Sequence, residues 1–206
     1  MDGARPGRDA LPARAGEAAA RPLVVEASVE IGAAPEQAFA LMSDLRAKAR
    51  LHPGLRVIRV EPEGEEPVRE GSVFYHRAQR GQRLIEYRSR CVRHEPPRRY
   101  WSRSETDPPF EVRVAVEPVA GGCRVTQQER LWVSGELLDA LEPPPGPQGF
   151  REALAWMALF PTLGPLGGHV RDLQRQRIAA RLGAELAGWL AAIKAHLETG
   201  SGERPA

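Results

Sequence analysis

His169 to Leu197 reads HVRDLQRQRIAARLGAELAGWLAAIKAHL, the longest uninterrupted helical pattern in the chain. Leu182, Leu186, Trp189, Leu190, Ile193 and Leu197 recur at spacings of three and four, which puts them on one broad apolar stripe. Arg171, Arg175, Arg181, Glu185 and Lys194 lie mostly beside that stripe, and Ala179, Ala180, Ala184, Ala191 and Ala192 favour the helix at little entropic cost. Gly183 and Gly188 weaken it and are expected to mark close approach of the backbone to another layer. Gly200 suits the helix end. A stripe this wide needs a partner, and almost everything upstream reads as strand. The expectation is a long helix packed across a curved antiparallel sheet.

The upstream chain supplies that sheet. Leu23, Val25, Ala27, Val29 and Ile31 alternate with more polar residues as a first strand. Pro35 and Glu36 open a short helix with Ala38, Phe39, Leu41, Met42 and Leu45 on its apolar face, and a second helical turn is expected over 47–51. His52-Pro53-Gly54 returns the chain to the sheet, with His52 organising the turn. Strands follow over 55–61, 71–80, 83–93, 99–104, 110–116 and 123–133, linked by turn signals such as Gly81 and Gly121-Gly122. This is a meander rather than a set of parallel crossovers. Residues 134–168 interrupt the plan. Residues 142–147 read as a proline-rich loop, and Phe150, Leu154, Met157 and Phe160 mark a short amphipathic helix stopped by Pro161. Residues 1–21 and 200–206 read as disordered tails around a single domain at 22–199.

Composition excludes several classes. The 206 residues suffice for one core, and the formal charge is only +2 with basic and acidic residues interleaved, which argues against nucleic-acid binding. No apolar run is long enough to span a membrane or serve as a signal peptide, so a cytoplasmic setting is expected. Cys91 and Cys123 lack metal-ligand spacing and read as buried free thiols. The five histidines form no metal motif, and no cofactor is expected. The chain lacks a P-loop and a G-x-S-x-G elbow. Alternating arginines such as Arg77, Arg88, Arg90 and Arg93 read as a solvated sheet face.

The order of these elements resembles the START-like, helix-grip superfamily, in its Bet v 1-related and polyketide cyclase/dehydrase-like (SRPBCC) branch. The residues that carry the likeness are VEASVEIGAAPEQAFALMSDLRAKARLHPGL, EYRSRCVRHEPPRRYWSRSE and GGCRVTQQERLWV. The resemblance implies an α+β fold, a bent antiparallel sheet of about seven strands gripping the C-terminal helix. It also implies an apolar cavity between them for a lipid, sterol, quinone, polyketide or aromatic molecule, and in some members cyclisation or dehydration. The insertion at 134–168 departs from compact members.

Strand parity then shortlists residues for that cavity. Ile85, Tyr87, Ser89 and Cys91 share one face of their strand; Phe74, His76 and Ala78 share a face of theirs, with Val73, Tyr75 and Arg77 opposite and both faces bulky, so parity there is undecided. Val125, Gln127, Glu129 and Leu131 share a face of the last strand. If Val125 and Leu131 point inward, so do Gln127 and Glu129, and an inward Glu needs a partner or a polar ligand. The expected ligand-binding set is Phe74, His76, Tyr87, Trp101, Gln127, Glu129, Met157 and Phe160, with parity undecided for Trp101. Three readings follow. The first is a carrier of a hydrophobic or amphipathic small molecule. The second is a cyclase or dehydrase in which His76, Tyr87 and Glu129 position a carbonyl or move a proton. The third is a module contacting protein or membrane transiently through 150–168, a segment that in the first two readings is a lid, an entrance or a fixed edge cover.

Overall fold

The computed structural model describes residues 21–64, 67–141 and 166–200. It shows a curved antiparallel sheet of seven strands: β1 (Leu23–Ile31), β2 (Arg56–Pro62), β3 (Val73–Arg80), β4 (Arg83–Glu95), β5 (Arg99–Ser104), β6 (Phe110–Val119) and β7 (Gly122–Leu131). Their order across the sheet is β1-β7-β6-β5-β4-β3-β2. The chain therefore starts beside its last strand, crosses to the far edge and returns as a meander. The crossing is made by α1 (Pro35–Ser43) and α2 (Leu45–Arg50). After β7 come α3 (Gly135–Leu141) and the long α4 (Leu166–Gly200), which the sheet wraps.

Each element has a local cause. At the start of α1 the Gln37 side chain accepts the Ala34 N–H at 3.3 Å, which compensates for a residue that has no capping atom of its own. Asp44 then caps α2 by accepting the N–H groups of Arg46 and Ala47 at 3.0 Å. That cap starts the second helix at Leu45, earlier than hydropathy alone suggested. At the β6–β7 turn Gly121 has φ +83°, and a Cβ on Gly122 would stand 2.0 Å from the Ile31 carbonyl oxygen. Both turn positions therefore require glycine.

The main core lies between the inner face of the sheet, α1 and α4. It contains Phe39, Met42, Val60, Phe74, Tyr100, Val114, Val116, Val125, Leu190 and Ile193. The apolar stripe on α4 is as expected: Leu186, Leu190 and Ile193 are buried, with Trp189 and Leu197 packed beside them. A smaller core joins Leu23, Val133, Leu138 and Ile178, and is built by α3 against α4. Gln174 donates to Asp139 at 3.0 Å and Arg171 to the Gly135 carbonyl at 3.0 Å, holding the two helices together.

Four differences from the sequence reading have physical reasons. Gly183 and Gly188 mark no close approach, because a Cβ at either would meet nothing within 4 Å. The long helix starts at Leu166, ahead of the periodic stretch that opens at His169. The segment 135–141 is helical, its Leu138 covered by Ile178 and Leu23, partners distant in sequence. Trp101 faces away from the core, between two arginines of the outer face. Of the expected lid or contact segment at 150–168, residues 150–165, including Met157 and Phe160, lie outside the described residues, as do residues 1–20 and 201–206. Among the described residues no helix is long and apolar enough to cross a membrane.

Candidate functional site

The inner face of β7 runs Cys123, Val125, Gln127, Glu129. The first three are buried, and Glu129 keeps partial exposure. Register sets their neighbours. Gln127 lies between Val114 and Ala27, and Glu129 between Val112 and Val25. Two polar side chains thus stand in an apolar wall, where each needs a partner.

Their partner is Lys48, which the sequence reading did not single out. The Asp44 cap winds α2 so that Lys48 turns inward, and it is only 3% exposed. Its Nζ donates to Gln127 Oε1 at 2.7 Å and lies 4.9 Å from the centre of the Trp189 ring. Trp189 is fixed in turn by donating its Nε1–H to the Lys48 carbonyl at 3.1 Å, and its ring packs at a tilt against His52, centres 4.7 Å apart. Gln127 Nε2 then donates to Glu129 Oε1 at 2.7 Å. An ammonium only donates and a carboxylate only accepts, so the amide between them has one workable orientation. The result is a buried line, Lys48–Gln127–Glu129, in which a neutral amide separates the two charged groups.

A second polar group stands across the face. His76 and Tyr87 are directly paired on β3 and β4, and their rings stack at 4.3 Å and 9°. His76 Nε2 is 2.8 Å from Ser89 Oγ, and Tyr87 meets the edge of Phe110 at 5.1 Å. Phe74 is buried next to His76, their ring centres 6.3 Å apart.

Burial dominates the electrostatics here. It pulls the Lys48 ammonium down to about 8, against the attraction of Glu129. It lowers His76 to about 4, helped by the Lys48 charge, so the imidazole is neutral at pH 7. It raises the Tyr87 phenol, reinforced by Glu129, so Tyr87 is a hydrogen-bond donor. It raises Glu129 as well, against the Gln127 hydrogen bond and the Lys48 charge. The same effect raises the Cys91 thiol to about 11, and both cysteines are free and buried, in keeping with inert thiols.

The shortlist therefore divides. Phe74, His76, Tyr87, Gln127 and Glu129 all sit on the inner face. Trp101 does not join them. It stands on the outer face, with the guanidinium carbons of Arg93 and Arg113 at 4.8 and 4.7 Å from its ring centre. A register shift between Cys91 and Arg93 makes its side hard to read from alternation. His94 is apart from His76 and contacts Phe39 and Tyr100. Among the described residues no group of three or more His, Cys, Asp or Glu could hold a metal.

Sequence reasoning missed Lys48, Trp189 as its cover, and Phe110. One signal for the first was available. Of the 29 basic residues, only Lys48 and Lys194 are lysines.

Comparison with known proteins fits this architecture. A family profile described as polyketide cyclase / dehydrase and lipid transport matches residues 22–158. No functionally curated protein matches the sequence significantly. Among solved structures, the di-domain ARO/CYC StfQ from the steffimycin biosynthetic pathway superposes with TM-score 0.62 at 16% identity, over 88% of this chain and 52% of that one. The chain thus spans about half the length of that protein. The Polyketide_cyc-like protein Cgl2372 from Corynebacterium glutamicum superposes with TM-score 0.51 at 22% identity, over 88% of this chain and 94% of that one. TTHA0849 from Thermus thermophilus gives 0.52 at 17%, over 84% and 98%. At such identities the structural likeness is one of fold.

Proposed function

Since the chain belongs to the polyketide cyclase / dehydrase and lipid-transport family, we propose that residues 22–199 act as one domain that binds a hydrophobic or amphipathic small molecule between the sheet and α4, to carry or present it. The observation that supports this most is the polar line Lys48–Gln127–Glu129 set into an apolar wall and ending at a partly exposed carboxyl. Burying such a line costs stability that an apolar core would not lose. Orienting the polar end of an otherwise apolar ligand is the use that fits it. Two buried free thiols accord with a reducing, cytoplasmic setting for this activity.

Native mass spectrometry of the protein purified from its own host tests this reading. The expected result is a co-purifying small molecule, retained in wild type and exchanged or lost in Glu129→Gln. A host-purified protein that is empty, and that takes up no lipid, quinone or aromatic candidate, would end it.

A second reading, turnover of the bound ligand as a cyclase or dehydrase, draws support from the approach of a neutral imidazole, a protonated phenol and a carboxyl on one face. Loss of turnover in Glu129→Gln with binding preserved would favour it over carriage.

A further inference from the structure

Lys48 and Lys194 are a natural pair for comparison. Lys194 is at the surface, donating to the Glu30 carbonyl at 2.7 Å and lying 3.6 Å from Glu198. Lys48 is enclosed by Trp189, Gln127 and the inner face of the sheet. Elsewhere the chain uses arginine for its positive charges. A guanidinium keeps its proton and is not a nucleophile, whereas an amine held away from water sheds its proton readily and attacks carbonyl carbon. Among the described residues, the Lys48 side chain has one hydrogen-bond acceptor, Gln127 Oε1, for an ammonium's three N–H bonds. The face of the Trp189 ring is its other partner, so Nζ is held on the inner face by one hydrogen bond and one aromatic ring.

We propose that Lys48 forms a reversible imine with the carbonyl carbon of an apolar aldehyde or ketone held on the inner face. This rests on the ligand-binding reading above and specifies the ligand's reactive group. The neutral amine lone pair forms the N–C bond while the carbonyl π electrons move to oxygen. That oxygen takes a proton and nitrogen loses one, giving a carbinolamine. Protonation of its hydroxyl releases one water as the nitrogen lone pair forms C=N, and loss of the remaining N–H proton from the iminium returns the proton taken up. Amine plus carbonyl give imine plus water, with no change of oxidation state. The surrounding groups suit these transfers. Gln127 fixes Nζ through one N–H, Tyr87 keeps its phenolic proton for the carbonyl oxygen, and the Glu129 carboxyl is biased by burial toward the protonated form that releases water. His76 on β3, and Glu185 and Trp189 on α4, complete the charged, titratable and aromatic surroundings of the line. With the Lys48 ammonium at about 8, about a tenth of it is neutral at pH 7, far more than for an ordinary surface lysine.

The test is reductive trapping on the full chain. The protein is incubated at pH 7 with decanal and sodium cyanoborohydride, digested, and the alkylation of Lys48, Lys194 and the N-terminus is followed by mass spectrometry. Lys48 should be alkylated at least about tenfold faster than Lys194. Excess decanol should suppress labelling of Lys48 alone. Lys48→Arg, which keeps the charge but forms no imine, should lose the fast site. The proposal is overturned if Lys48 is labelled no faster than Lys194, or if labelling is indifferent to decanol. Decanol binding, read by native mass spectrometry on the same sample, separates the failures. Binding without a fast Lys48 adduct sinks the imine alone, and no binding of decanol or decanal sinks the ligand-binding reading as well.

Discussion

At the scale of single residues, His76 gives the sharpest prediction. Burial and the Lys48 charge hold its imidazole at about 4 in the folded protein, below its ordinary 6.5. Between those values the unfolded chain binds a proton that the folded chain refuses. Stability should therefore be undiminished above pH 6.5 and fall as acid is added down to about pH 4, by up to about 3 kcal/mol from this residue. Urea midpoints of wild type and His76→Gln at pH 7 and pH 5 measure it. The variant should lose distinctly less stability over that interval; equal losses would locate the acid sensitivity in other groups. Gln127 holds a different kind of role. Leucine in its place would leave both the Lys48 ammonium and the Glu129 carboxyl without their shared amide. Gln127→Leu should thus cost more than the loss of one hydrogen bond, on the order of 3 kcal/mol, despite adding apolar surface. A Gln127→Leu protein as stable as wild type would show that the two charges are solvated independently.

At the scale of elements, α4 separates what patterning reveals from what it hides. Its stripe was legible because apolar residues repeat at helical spacing, and Leu186, Leu190 and Ile193 are indeed buried. Leu186→Ala should cost about 2–5 kcal/mol in a denaturant melt. The glycines of the same helix were misread because propensity reports a cost and not its reason. With open space where their Cβ atoms would be, Gly183→Ala and Gly188→Ala should each stabilise by about 0.5–1 kcal/mol, raising the melting temperature. No change, or a loss, would mean that the backbone there has a task the open space does not reveal. Strand alternation exposed the inner faces of β4 and β7, and so placed Tyr87, Gln127 and Glu129 together; on β3 both faces carry bulky groups, and the side of His76 follows only from its pairing with Tyr87. It did not expose Lys48, because α2 is six residues long and too short to display a period. The inward turn of Lys48 depends on the Asp44 cap and on a Trp from the far end of the chain. Nor did it expose Trp101, whose outward stacking between two arginines follows a register shift. Helix α3 was obscured for a related reason, since Leu138 finds Leu23 and Ile178 only after the sheet has closed.

At the scale of the whole molecule, strand order gives the site its character. β1 pairs with β7 while β2 lies at the opposite edge, so α1 and α2 must cross the concave side to join them. That crossing carries Lys48 over the inner face, where the last strand supplies Gln127 and Glu129 and the last helix supplies Trp189. Segments near the start, middle and end of the chain meet in one polar line, and none of them forms the line alone. The outer face has a different chemistry, with interleaved pairs such as Arg88–Glu63 and Arg124–Glu30 in solvent, where each contributes little to stability. The central claim is that the inner face receives the ligand. Amide NMR of the labelled protein, titrated with decanol, tests it most directly. The account predicts that shifts concentrate at Lys48, His76, Tyr87, Gln127, Glu129 and Trp189, leaving Trp101 and its flanking arginines unmoved. Saturable shifts centred on the outer face around Trp101, with the inner-face amides unchanged, would contradict it.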